Sequence, residues 1–268
     1  MKKIKNSLLL LSIFSVVILC SCSKKGCTDP NSLAFDVEAK KDDGSCTEPV
    51  AAKKALVFKM TATWCPYCGD WGATYSTNIS NDYADCQVIG LHGDNEFGSD
   101  IVDAVEATLA PNGRPHFYLG TTDISNNYSM LSSAVAGELA EAVEVSMAME
   151  SSTSGSTMNI RVQSKWLSSV AGEYKLAVYI LEDGQVAEQD IVGSPSDPNF
   201  VHNNVLRAEA SGLAYGKDIV VNGDGNLEEF TVTLASGLNP EIIPSNCYPV
   251  AVIWKKNGAD HDFVNFVR

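Results

Sequence analysis

Positive charge is scarce in this chain. Nineteen Lys and Arg stand against 33 Asp and Glu, a formal net charge of −14 over 268 residues. A nucleic-acid partner needs a basic surface to neutralise phosphates, so no nucleic acid is expected. Long apolar runs are also missing. Leu8 to Leu19 spans 12 residues, whereas a membrane-crossing helix needs about 20. Histidine is sparse: His92, His116, His202 and His261 are scattered without metal-ligand spacing. Only one Cys-x-x-Cys is present. Zinc needs four ligands, usually two such pairs or a pair plus His, so a zinc site is excluded and no metal is expected there.

What is present begins with a processing signal. Lys2, Lys3 and Lys5 precede the short apolar run, which has the length of a signal core. Residues 1–21 are therefore expected to be a lipoprotein signal peptide. Leu19-Cys20-Ser21-Cys22 resembles a bacterial lipobox, with a small residue before Cys22, which would become the lipidated N-terminus. Cys20 fits less well, because bulky Leu19 would take the small-residue position. Loss of three lysines gives −14 − 3 = −17 for the mature chain. The expectation is an exported protein whose only membrane attachment is its lipid.

Six cysteines then remain: Cys27, Cys46, Cys65, Cys68, Cys86 and Cys247. An even count suits an oxidising compartment. Cys27 and Cys46 bracket a segment rich in Asp and poor in large apolar residues, which needs a closing disulfide to become ordered. Residues 22–51 thus read as a disulfide-closed spacer and linker. Asp29, Asp36, Asp42 and Asp43 offer the hard oxygens calcium takes, but without regular ligand spacing. A solvated acidic spacer is the plainer reading. The sequence does not say whether Cys86 and Cys247 are bridged.

Ala55 to Met60 reads as a buried strand leading directly into Trp64-Cys65-Pro66-Tyr67-Cys68. Pro66 suits the first turn of a helix. Further strands are expected at 87–92 and 116–119, with helices at 101–109 and at about 130–150. Ser151 to Thr157 reads as a flexible linker. Beyond it come at least seven short alternating segments and no convincing helix, the pattern of an antiparallel, immunoglobulin-like β-sandwich. The expected units are 52–150 and 151–268.

A strand feeding a helix places Cys65 at the helix N-terminus. There free N–H groups and partial positive charge favour a thiolate. Cys65 is then the attacking sulfur and Cys68 the resolving one, with Trp64 shielding one flank. A structural bridge is the bland alternative, but it closes too small a loop to constrain much.

Trp-Cys-x-x-Cys after an apolar strand resembles the thioredoxin-like family, and Cys-Pro-Tyr-Cys is also the motif of many glutaredoxins. The resemblance covers about residues 52–150 and implies an α/β fold. It also implies a cis-proline facing the pair. Pro115 matches, 50 residues after Cys65, and Arg114 would then help set substrate choice. One departure stands out: the position that usually holds a buried acid, six residues before the first Cys, is Lys59. Lys59 and Arg114 are expected to favour the thiolate and so a more oxidising pair. The lipobox, the Cys motif and a β-rich half containing His202 to Arg207 together resemble the family related to the 28-kDa outer-membrane protein of Gram-negative bacteria.

The expected function is an envelope-anchored thiol–disulfide oxidoreductase, without cofactor other than the Cys65–Cys68 pair. Its partners would be protein or small-molecule disulfides and a thiol–disulfide exchange protein, on an outer membrane facing the periplasm. The alternative is a non-enzymatic lipoprotein that uses the same scaffold and the β-sandwich for protein or surface binding.

Overall fold

The computed structural model describes residues 23–93, 96–124, 127–221, 223, 225–234 and 241–268. The expected signal peptide and lipid-bearing Cys22 lie outside the described residues. Among those described, no helix is long and apolar enough to cross a membrane.

The first strand, β1 (Ala55–Thr61), alternates between two apolar environments, which is why its sequence reads as nearly continuous hydrophobics. Leu56, Phe58 and Met60 face one core, while Ala55 and Val57 face another. A single π-helical turn, Cys68–Gly72, leads into α1 (Ala73–Asp82). β2 (Cys86–His92) pairs parallel to β1. Next comes α2 (Asp100–Leu109), capped by the Ser99 side chain accepting from the Val102 N–H. Ala110, in left-handed conformation, ends that helix. β3 (His116–Leu119) pairs antiparallel to β1, and β4 (Thr122–Asp123) pairs with β3. The Arg114–Pro115 peptide before β3 is cis. α3 (Tyr128–Leu139) packs with α1 over Val57 and Phe117.

The helix expected to run to residue 150 stops at Leu139. β5 (Val145–Ser154) follows. Val143, Val145, Met147 and Met149 alternate with other residues, and every second member of that set also fits an i, i+4 stripe. Helical and strand periods therefore coincide there, and pairing with β6 decides. The expected linker is likewise ordered. β5 and β6 (Thr157–Trp166) form a hairpin closed by Ser154 opposite Thr157, with Gly155 at φ +59° at its tip. The expected boundary at residue 151 falls within β5.

The remaining strands are β7 (Tyr174–Glu182), β8 (Gln185–Gln189), β9 (Asp197–His202), β10 (Val205–Glu209), β11 (Lys217–Ile219), β12 (Asn226–Thr233), β13 (Cys247–Asn257) and β14 (Asp260–Val267). β8 and β9 pair only with each other as a ribbon, and the rest, with β5 and β6, build a two-sheet sandwich. A β12-β6-β5 sheet covers one face of β7, β13 and β14. The covered sheet does not end there. Its order is β14-β13-β7-β10-β2-β1-β3-β4, so strands from both halves share one sheet.

The join is made by the segment His202 to Arg207. Val205 pairs with Gly90 of β2, and the Gly90 N–H donates to the Asn204 carbonyl at 2.8 Å. Asn204, at φ 57°, accepts through Oδ1 from Gln87 and from the Tyr248 hydroxyl. Arg207 pairs with fully buried Glu182 at 3.3 Å. On the far face, Trp254 stacks on Phe58 with ring centroids 6.1 Å apart.

Cys27 and Cys46 are disulfide-bonded. The segment they close is docked on β6: Leu33 and Thr47 bond the Gln163 side chain, and Arg161 donates to the Leu33 carbonyl. Its acids are used locally. Asp36 pairs with Lys24, while Asp29, Asp42 and Asp43 accept from nearby turn N–H groups. Among the described residues, no three His, Cys, Asp or Glu side chains converge as a metal site. Cys86 and Cys247 are free thiols.

Candidate functional site

Cys65 and Cys68 form a disulfide at the end of β1, where the chain turns into the first helical residues. The Cys68 N–H points at Cys65 Sγ at 3.2 Å. This is the local geometry that would hold a thiolate. Trp64 and Tyr67 are half exposed on either side, and Pro66 is exposed. The sulfurs are not at the surface: Cys65 is 3% and Cys68 1% exposed.

The cover comes from the other half of the chain. Gln189, at the end of β8, is 1% exposed. Its Nε2 lies 2.9–3.3 Å from the carbonyls of Ala62, Thr63 and Cys65. The next residue adds a backbone bond, Asp190 N–H to the Thr63 carbonyl at 2.8 Å. The fit is close. A Cβ on Gly69 would fall 2.4 Å from the Asp190 carbonyl oxygen, so glycine is required there. Sequence reading had no route to Gln189. Its partners lie more than 120 residues away and its own strand carries no motif.

Beneath Cys68 is a cavity of about 260 Å³ between the sheet and α1. Lys59 lines it, and burial lowers its ammonium pKa to about 8. His92 and His202 adjoin, their rings 5.2 Å apart. Burial, with the nearby positive charges, holds both below the ordinary imidazole range, His202 at about 4. The Ala187 backbone and Glu96 act in the opposite sense on His202, without reversing the effect of burial.

Lys59 thus lies on the Cys68 side of the pair. Arg114 is engaged elsewhere. Its guanidinium bonds Glu106 of α2 at 2.5 Å and the Thr61 carbonyl at 3.2 Å. Glu106 thus offsets part of the charge by which Arg114 was expected, with Lys59, to favour a thiolate. Pro115 packs under the helical turn after the pair; a Cβ on Gly72 would fall 2.9 Å from its ring.

The fold and site define a β-rich protein with one sheet running through both halves and a buried, covered disulfide. The family model for outer membrane protein Omp28 matches residues 103–267. The chain belongs to that family of outer-membrane proteins, in agreement with a Gram-negative envelope location. The match begins after the Cys65–Cys68 pair. Among solved structures, the chain is similar to HBP35 of Porphyromonas gingivalis, with TM-score 0.67 and 13% identity, over 82% of this chain and 76% of that one. At that identity the likeness concerns the fold. A domain of the outer membrane lipoprotein Omp28 from Porphyromonas gingivalis aligns with TM-score 0.31 and 17% identity, over 47% of this chain and 85% of that one. No curated protein matches.

Proposed function

We propose that this protein is a non-enzymatic outer-membrane lipoprotein. It is anchored by a lipid on Cys22 and faces the periplasm. Residues 52–150 serve as a thioredoxin-like scaffold, and the β-sandwich engages a protein or surface partner. The observation that carries this reading is the roof over the disulfide. Gln189 and Asp190 bond the Ala62, Thr63 and Cys65 carbonyls, and Cys65 and Cys68 are left only 3% and 1% exposed, which offers an incoming substrate chain little surface. The disulfide then acts as a structural tie that keeps the Ala62 to Cys68 turn in the shape the roof requires.

The test uses the full chain. Reduced protein should cleave insulin disulfides no faster than the reductant alone. A Cys68→Ala variant should accumulate no mixed disulfides in an envelope extract. Partners trapped on Cys65 would overturn the proposal.

A second reading has its own support in the Cys68 N–H aimed at Cys65 Sγ. In an oxidoreductase, Cys65 would attack a protein disulfide and Cys68 would resolve it, after the β8–β9 ribbon lifted away. Lys59 would then favour the reduced, thiolate-bearing form. Lys59→Glu should lower the equilibrium potential; an unchanged or higher value would sink that role.

A further inference from the structure

The cavity under Cys68 has no part in the proposed binding role, and its lining is unusual for the space between a helix and a sheet. Gly90 sits directly opposite Lys59 in the parallel β1–β2 pairing and contributes no side chain. Above it, α1 presents Ala73, Ser76 and Thr77 instead of large apolar residues, and only Ile79 of that helix is buried. The result is a gap that the core does not fill.

Lys59 enters this gap. Burial is the cause that lowers its ammonium pKa to about 8. No Asp or Glu lines the cavity among the described residues. The chain as a whole carries 33 acids against 19 bases, so an ammonium lining a cavity with no acid among the described residues runs against its composition. Lys59 is half-buried, and partly desolvating such a charge costs free energy unless something partners it. The neighbouring imidazoles cannot do so by charge. His202 is 5% exposed, and its Nε2 is buried with no hydrogen-bond partner among the described residues.

We propose that this cavity binds a small organic carboxylate, with the anion on the Lys59 ammonium and its carbon skeleton against Val88 and Phe200. Three features select this class. One ammonium beside neutral imidazoles matches one negative charge better than a phosphate dianion. Val88, Phe200 and Val201 give the wall apolar patches that a bare inorganic anion would not use. The volume suits a short acid and excludes a long acyl chain. Thr77 and Ser80, both exposed, mark the mouth through which it enters. The proposal is independent of whether the disulfide turns over.

The experiment is thermal unfolding of the full chain at fixed ionic strength in sodium chloride, sodium phosphate or sodium butyrate. Butyrate at a hundredfold excess over its dissociation constant should raise the midpoint by about 5 °C over chloride. Lys59→Met, which places an apolar side chain of similar length in the same gap, should abolish that rise. Thr77→Trp alters only the exposed mouth, keeps Lys59, and should also abolish it. Equal midpoints in all three salts with the wild-type chain would overturn the proposal. So would a butyrate rise that survives in Lys59→Met, or a rise with phosphate and none with butyrate.

Discussion

The side-chain amide of Gln189 lies 3.0 Å from the carbonyl oxygen of Cys65, across 124 residues of sequence. That bond is what turns an apparently accessible Cys-x-x-Cys into a covered one. Replacing Gln189 with Leu leaves the buried Ala62, Thr63 and Cys65 carbonyls without this donor. The expected loss of stability is about 1–3 kcal/mol, read by urea denaturation. Reduction of the disulfide by dithiothreitol should accelerate about tenfold, the change that 1.4 kcal/mol of lost cover would produce. An unchanged reduction rate would show that the roof does not limit access.

Lys59 makes a pH signature. Its ammonium pKa is about 8 in the folded chain and 10.5 without burial. Between those values the unfolded chain holds a proton that the folded chain has shed. Wild type should therefore gain stability relative to Lys59→Met as pH rises through that window, by at most about 3 kcal/mol. Below pH 8 the difference should be flat, with Lys59→Met the more stable. Denaturation of both proteins at pH 7 and pH 10 checks the sign. Comparing the two cancels the other groups that titrate there, among them Cys86, which burial pushes up to about 12.

His202 acts at the other end of the scale. Burial lowers its pKa from 6.5 to about 4. As pH falls below 6.5 the unfolded chain takes up a proton first, so stability is lost progressively until about pH 4 and then levels. The loss from this group is on the order of 3 kcal/mol. His202→Phe keeps a ring beside Phe97 and Phe200 and removes the titration, so its stability should fall less steeply over the same range. Parallel curves for the two proteins would exclude His202 as a contributor.

The shared sheet predicts how the chain unfolds. Leu56, Phe58 and Met60 of β1 belong to the same core as Tyr179, Leu181 and Trp254. Residues 52–150 expressed alone would expose that face and the edge of β2. Such a fragment should lack cooperative unfolding, and the intact chain should unfold in one calorimetric transition. Trp254→Ala should cost about 3–5 kcal/mol and lower that single transition. Two separate transitions, with only one responding, would show that the halves are independent.

Much of this was legible locally. Ala55 to Thr61 and His116 to Leu119 are short, apolar and bounded, so their strands can be read from the residues. Cys27 with Cys46 and Cys65 with Cys68 are brought together by nearness in the chain and by segments too poor in apolar residues to order themselves otherwise. The alternation of Tyr174 to Leu181 and of the last strands is a property of the sequence that any antiparallel sheet would use.

Other features depend on partners that sequence does not name. Met147 fits a helix and a strand equally, and only the facing residues of β6 choose between them. Lys59 and Arg114 carry the same charge near the same motif. Glu106 takes one, while the other lines a cavity with no acid among the described residues, because α2 packs on one face of the sheet and polar α1 on the other. The redox appearance of Cys65 and Cys68 is local chemistry, set by a strand, a proline and a helical turn. Their accessibility is set by Gln189, which arrives only when β10 joins β2 and carries the β8–β9 ribbon over the disulfide. Sequence determines what a group can do; here long-range packing decides whether anything can reach it.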